Sequence, residues 1–235
     1  MTARPAPPRT RTALAAGLMV GVAVLAGCGG PEKPEPSPEK TLAAAKKHLD
    51  TTSGVRIGLS AAELPTGVNG LLAADGIGTH DPGFQGDIKV SAGGITADAA
   101  VVALGGVVYA KLPFTSKFVQ IDPGDYGAPD PADLMSTEGG LSSLLTSATD
   151  VGAGKEVRDG KVVLTSYTAT VPGEAMAAVI PSAVATAVFD ATFTVTDQDR
   201  LAEAVLSGPF YPRADDVTYR ITFDEYDTEK DIRAP

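Results

Sequence analysis

Residues 86–101 read Gly-Asp-Ile-Lys-Val-Ser-Ala-Gly-Gly-Ile-Thr-Ala-Asp-Ala-Ala-Val. Ile88 and Val90 alternate with Asp87, Lys89 and Ser91, and Ile95, Ala97, Ala99 and Val101 alternate with Thr96, Asp98 and Ala100. A period of two puts alternate residues on opposite faces of a strand. The stretch therefore predicts two strands, each with one apolar and one polar face.

The same period recurs on both sides of it. Val55, Ile57 and Leu59 alternate with Arg56, Gly58 and Ser60. Val107 to Lys111 forms another strand after Gly105-Gly106. Arg158-Asp159-Gly160-Lys161 separates Val151–Val157 from Val162–Thr170, and Asp-Gly there predicts a type I′ hairpin turn. Phe189, Ala191, Phe193 and Val195 alternate with polar residues, as do Val217, Tyr219, Ile221 and Phe223; Leu201–Leu206 lies between them. Roughly eight to ten strands with short connections predict an antiparallel meander with one buried face.

Three helices interrupt the pattern. Ser37-Pro38 reads as an N-cap with Pro at the first helical position, and Leu42, Ala45, Leu49 and Thr52 continue at helical spacing before Gly54. Leu141, Leu144, Leu145 and Ala148 fall at i, i+3, i+4 and i+7. Ala175–Ile180 is bounded by Pro172 and Pro181. The fold class is α+β: a large curved antiparallel sheet with helices packed on one face.

The first 40 residues follow other rules. Arg4, Arg9 and Arg11 precede Thr12–Ala26, an uncharged apolar run of 15 residues. A membrane-spanning helix needs roughly 20. A positive start, a short apolar run and small residues at its end read as a secretory signal over 1–27. Leu25-Ala26-Gly27-Cys28 follows directly, and Cys28 is the only cysteine among 235 residues. Gly29–Glu39 contains four prolines and no large apolar residue, so 28–40 reads as an extended tether. At ~3.1 Å per residue, about ten residues reach some 30 Å.

The chain carries 19 Lys and Arg against 29 Asp and Glu, a formal −10. Loss of the three arginines in 1–27 leaves 16 against 29, or −13. That balance argues against nucleic acid as a partner. A surface that acidic does not bind anionic lipid head groups by itself.

Catalytic patterns are sparse. The two histidines, His48 beside Lys46-Lys47 and His80 in a Thr-His-Asp-Pro-Gly turn, do not assemble with a Gly-x-Ser-x-Gly motif. Asp122, Asp125, Asp130 and Asp133 lack Ca²⁺-loop spacing and are broken by Pro123, Pro129 and Pro131, which favours turns. One Cys and two His supply no zinc cluster. No cofactor is expected and the chain reads as no enzyme. Small residues at inward positions (Ala97, Ala99, Ala191) leave two readings open: unfilled apolar volume beneath the sheet, or the Ala and Gly bias of a GC-rich genome.

Several stretches in order resemble the actinobacterial lipoprotein family that includes LppX, LprA, LprF and LprG. They are the lipobox ending at Cys28, Gly86–Ser91, Ile95–Ala99, Val107–Leu112, and Tyr126–Met135 leading into Gly139–Leu145. The resemblance implies acylation of Cys28 and a half-barrel, with helices on the concave face around a hydrophobic cavity. It further implies transport of an acylated lipid, triacylglycerol or lipoglycan, a membrane exporter as partner, and anchoring on the extracytoplasmic face of the cell membrane. The stretch around Ile88 and Val90 matches a cavity-facing strand, and Leu141–Leu145 matches a closing helix. The lining candidates are Ile88, Val90, Ile95, Ala97, Ala99, Val101, Leu141, Leu144, Leu145, Phe189 and Phe193. The chain departs from LprG-like members in lacking Trp and in the Lys111–Gln120 segment. The rival readings are a structural or adaptor lipoprotein without cargo, and an envelope hydrolase with an unrecognised site.

Overall fold

The computed structural model describes residues 1, 2, 36–80 and 83–235. Cys28 and most of the 28–40 tether lie outside the described residues. Residues 36–235 form one compact unit.

The chain enters that unit through α1 (Pro38–Thr51). Pro38 opens the helix, as its fixed φ allows at a position where the missing N–H costs nothing. The side chain of Ser37 makes no capping bond, but its carbonyl accepts from the N–H groups of Lys40 and Thr41. Leu42, Ala45 and Leu49 are buried along one stripe.

Eleven antiparallel strands follow: β1 (Gly54–Ala61), β2 (Gly70–Thr79), β3 (Gly83–Ala92), β4 (Ile95–Leu104), β5 (Val107–Lys111), β6 (Val119–Ile121), β7 (Thr149–Asp159), β8 (Val162–Pro172), β9 (Val188–Thr196), β10 (Leu201–Gly208) and β11 (Val217–Asp224). They form one sheet in the order β6-β5-β4-β3-β2-β1-β11-β10-β9-β8-β7. Two meanders are thus joined where the first strand pairs with the last, Ile57 opposite Phe223 and Leu59 opposite Ile221. The sheet is open, with β6 and β7 as its edges. The expected α+β antiparallel architecture is what the chain adopts. Two strands, β2 and β6, were absent from the sequence reading. The Asp159-Gly160 hairpin is present, but only Gly160 of its two loop residues has positive φ (59°), so the turn is not the expected type I′.

Register places one continuous set of side chains inside. Val101, Phe84, Ala103 and Val108 belong to it on one side, and Phe189, Phe193, Leu206 and Tyr219 on the other. Over β8–β11 and β1 this face is covered by α1, α2 (Ser143–Ser147) and α3 (Gly173–Val179). Over β2–β4 it is covered by a strap, Asp122–Thr137, containing two 3-10 turns at Pro123–Tyr126 and Pro131–Met135.

Candidate functional site

The covered half of the interior is filled. Phe189, Phe193 and Phe210 are almost wholly buried, and Phe210 meets both Phe189 and Tyr219 edge-on at 4.9 Å. Leu144 and Leu145 of α2, Leu141 just before it, and Met176 of α3 pack into the same core. A second, smaller core joins Phe84, Val101, Ala103, Val108 and Ala110 to Ala132 of the strap.

Beyond the strap the inner face is left partly bare. Leu59 stands opposite Ala74, Ala74 opposite Ile88, and Ile88 opposite Ala99. One step further along the strands, Leu71 is opposite Val90 and Val90 opposite Ala97. Apart from buried Ala99, these residues are only half-buried. These residues form an apolar strip, the groove, across β1–β4, running toward the end of the sheet that carries the β1–β2 and β3–β4 connections; Leu59 packs against the larger core and Ile88 against the smaller. Backbones are thin here. A Cβ on Gly76 would lie 2.5 Å from the Phe84 ring and 2.7 Å from the Gln85 carbonyl oxygen, so only glycine admits that ring to the inner face.

The candidate lining residues separate into four groups. Ile88, Val90 and Ala97 lie in the groove, with Ala99 buried at its floor. Val101 sits in the smaller core, and Leu141, Leu144, Leu145, Phe189 and Phe193 in the larger one. Ile95, paired with Ala92 at the β3–β4 turn, is 72% exposed at the rim. Sequence reasoning missed Leu59, Leu71 and Ala74 as groove residues.

Charge is kept off this face. Arg56 pairs with Asp75, Lys89 with Asp98 at 3.3 Å and Arg220 with Glu203. By register all of these occupy the outer face. The polar atoms near the groove satisfy one another: the Tyr219 hydroxyl lies 2.8 Å from that of Tyr211 and donates to the Leu71 carbonyl at 3.0 Å. Burial, reinforced by the bond to Tyr211, pushes the Tyr219 hydroxyl well above the usual phenol range, so it stays neutral. Among the described residues no buried side-chain polar atom lacks a partner.

Polar groups also fasten the covering elements. Lys46 Nζ of α1 donates to Asp50 at 2.7 Å, to the Thr137 carbonyl at 2.9 Å and to Ser142 Oγ at 3.2 Å. Ser142 donates in turn to Asp50 at 2.5 Å. This ties α1 to the strap and to the start of α2. The strap also reaches the α3 side, where a Cβ on Gly127 would meet that of Ser182 at 3.2 Å.

Of the histidines weighed as bases and the aspartates weighed for Ca²⁺, His80, Asp122 and Asp130 hold local structure. His80 Nε2 donates to the Leu49 carbonyl at 2.8 Å, near the C-terminus of α1, and His48 is exposed. The Asp122 and Asp130 carboxylates accept from the Gly124 and Ala132 N–H groups at 2.8 and 2.9 Å, capping the two 3-10 turns. Two surface hollows lie elsewhere. One, of about 290 Å³, is framed by Arg56, Asp75, Gln85 and Asp87; the other, of about 490 Å³, by Thr149, Thr170 and Glu174. Neither contains Ile88, Val90 or Ala97.

An open antiparallel sheet whose inner face is apolar over β1–β4 and roofed by short helices over its other half defines a structural class: the open half-barrel. LprF from Mycobacterium bovis has this fold, with a TM-score of 0.68 at 14% identity over 87% of this chain and 99% of that one. LppX from Mycobacterium tuberculosis matches with a TM-score of 0.61 at 13% identity, over 85% and 100%. The LppX_LprAFG lipoprotein model matches residues 37–233, and the chain belongs to that family. Among curated proteins, the lipoarabinomannan carrier protein LprG of Mycobacterium tuberculosis and of Mycobacterium bovis is 27% identical over 207 residues, covering 83% of this chain and 85% of the relative.

Proposed function

We propose that this protein is a non-enzymatic carrier of acylated lipid, held by a lipid on Cys28 at the extracytoplasmic face of the cell membrane. Its cargo is a lipid with free acyl chains, such as a triacylglycerol or a lipoglycan. The chains lie along Leu59, Leu71, Ala74, Ile88, Val90 and Ala97 while the polar head stays in water. The observation that carries this reading is the half-bare, uncharged apolar strip over β1–β4. Each methylene buried there contributes about 0.8 kcal/mol, and more than one acyl chain is needed to hold a lipid stably, which fits a multiply acylated cargo. The LprG relatives, lipoarabinomannan carrier proteins, support the same cargo class. Cargo is handed on to a membrane exporter.

The test is native mass spectrometry, with lipid extraction, of residues 29–235 expressed in lipid-containing hosts, including an actinobacterium. The expected result is a population carrying one acylated lipid per protein. Only unliganded protein from every host would refute the carrier and leave the structural or adaptor role. Anchoring is tested separately: Cys28→Ala should move the protein from the membrane fraction to the soluble one, and retention in the membrane would show that lipid on Cys28 is not the anchor.

A further inference from the structure

The connection between β5 and β6, Leu112-Pro113-Phe114-Thr115-Ser116-Lys117-Phe118, exposes apolar side chains where a turn ordinarily has polar ones. Leu112 is 46% exposed and Phe114 has no cover at all. The turn is nevertheless fixed. Thr115 N–H donates to the Leu112 carbonyl at 3.2 Å, and its hydroxyl donates to the same oxygen at 2.7 Å. Phe114 sits two places after Leu112 at φ 65°, the left-handed position that such a turn fills most cheaply with glycine. A bulky aromatic is thus held in an unfavourable backbone conformation with its ring in solvent, and no contact within the domain accounts for it.

The charge around it differs from that of the rest of the chain. From Ala99 to Ile121 the only charged residues are Lys111 and Lys117, which bracket the tip, although the chain as a whole carries −10. Lys111 pairs with Ala100, midway along β4, and β5 runs antiparallel to β4, so the tip leaves β5 in the direction of the β3–β4 turn and its exposed Ile95. That is the end toward which the groove runs. Aromatic and aliphatic tips flanked by lysines fit one environment well: the boundary between anionic lipid head groups and acyl chains.

We propose that the 112–118 tip is a second membrane contact, inserting Phe114 and Leu112 into the outer leaflet with Lys111 and Lys117 at the phosphate level. It would hold that end of the groove against the bilayer. The proposal concerns where the domain touches the membrane and stands whether or not the groove carries cargo.

The chain has no Trp, so Phe114→Trp supplies a single reporter. The folded unit 36–235 carrying this change is mixed with vesicles of phosphatidylcholine and phosphatidylglycerol. The fluorescence is expected to shift to the blue and to be quenched by brominated acyl chains. Val157→Trp, near the turn at the other end of the sheet, should remain unshifted. Phe114→Ser should weaken vesicle partition by about tenfold. Replacing both lysines with glutamine should weaken binding to anionic but not to neutral vesicles. Unshifted fluorescence of the Phe114→Trp variant would overturn the proposal. So would an equal shift at position 157, or a response to lipid-free envelope protein but not to vesicles.

Discussion

The two halves of the sheet share one alternation and fill its inner face differently. In β8–β11 the inward positions are large (Phe189, Phe193, Leu206, Tyr219, Phe223), and three helices close over them. In β2–β5 small residues (Ala74, Gly76, Gly78, Ala97, Ala99, Ala103, Ala110) alternate across the strands with Phe84, Ile88, Val90, Val101 and Val108, and a strap of 3-10 turns is the cover. Large residues under helices give interior packing density and hence stability. Small residues under a partial cover give less stabilisation and more room. The first half thus serves as the scaffold, and the second leaves the apolar strip along which the proposed acyl chains would lie.

The comparison is sharpest in stability. Phe193→Ala should cost about 3–5 kcal/mol in urea unfolding, as a large cavity in a closed core does, and Ile88→Ala in the half-bare groove less than half of that. Equal losses would erase the distinction between the halves. Gly76→Ala should cost about 1–3 kcal/mol, because its methyl would strike the Phe84 ring and the Gln85 carbonyl. A neutral result would mean that the thin half yields easily. Lys46→Met removes the link between α1, the strap and Ser142, and should lower stability by about 0.5–1.5 kcal/mol while speeding amide exchange in 131–145. Unchanged exchange there would show that the strap is held by other contacts.

The smallest effect concerns pH. Desolvation raises the pKa of Asp130, opposed by the Ala132 N–H bond and assisted by Asp133. A carboxyl whose folded value lies above its unfolded one disfavours folding while charged, and this penalty disappears as pH falls through the folded value. Asp130→Asn keeps the acceptor and should be slightly more stable than the parent at pH 7, the difference shrinking toward pH ~4. A pH-independent difference between the two proteins would contradict that cause.

The same contrast explains what the sequence revealed. Strands of the scaffold half announce themselves, because Phe189 to Val195 and Val217 to Phe223 alternate large apolar with polar residues. β2 was invisible for a physical reason. Its inner positions Gly76 and Gly78 carry no hydrophobic signal, and a bulge between Leu71 and Ala73 breaks the period. β6 has only three residues. For the groove, alternation identified the inner face correctly at Ile88, Val90 and Ala97, but it cannot indicate which part of that face is roofed. Phe189 and Phe193 therefore looked equivalent to Ile88, although helices cover only the former. Ile95 satisfies the period yet sits at the terminal pair of a hairpin, where no neighbour covers it.

The central claim, that acyl chains lie along the thin half, is tested most directly by photo-crosslinking. A lipid bearing a diazirine at the end of its acyl chain would be loaded into residues 29–235, irradiated, and its adducts mapped by peptide mass spectrometry. Labelling should concentrate in 59–74 and 86–99, be competed by unlabelled lipid, and fall sharply in Ala97→Trp while the melting temperature stays near that of the parent. Adducts confined to outer-face residues such as Gln85 and Asp87, or labelling that Ala97→Trp leaves unchanged, would contradict it.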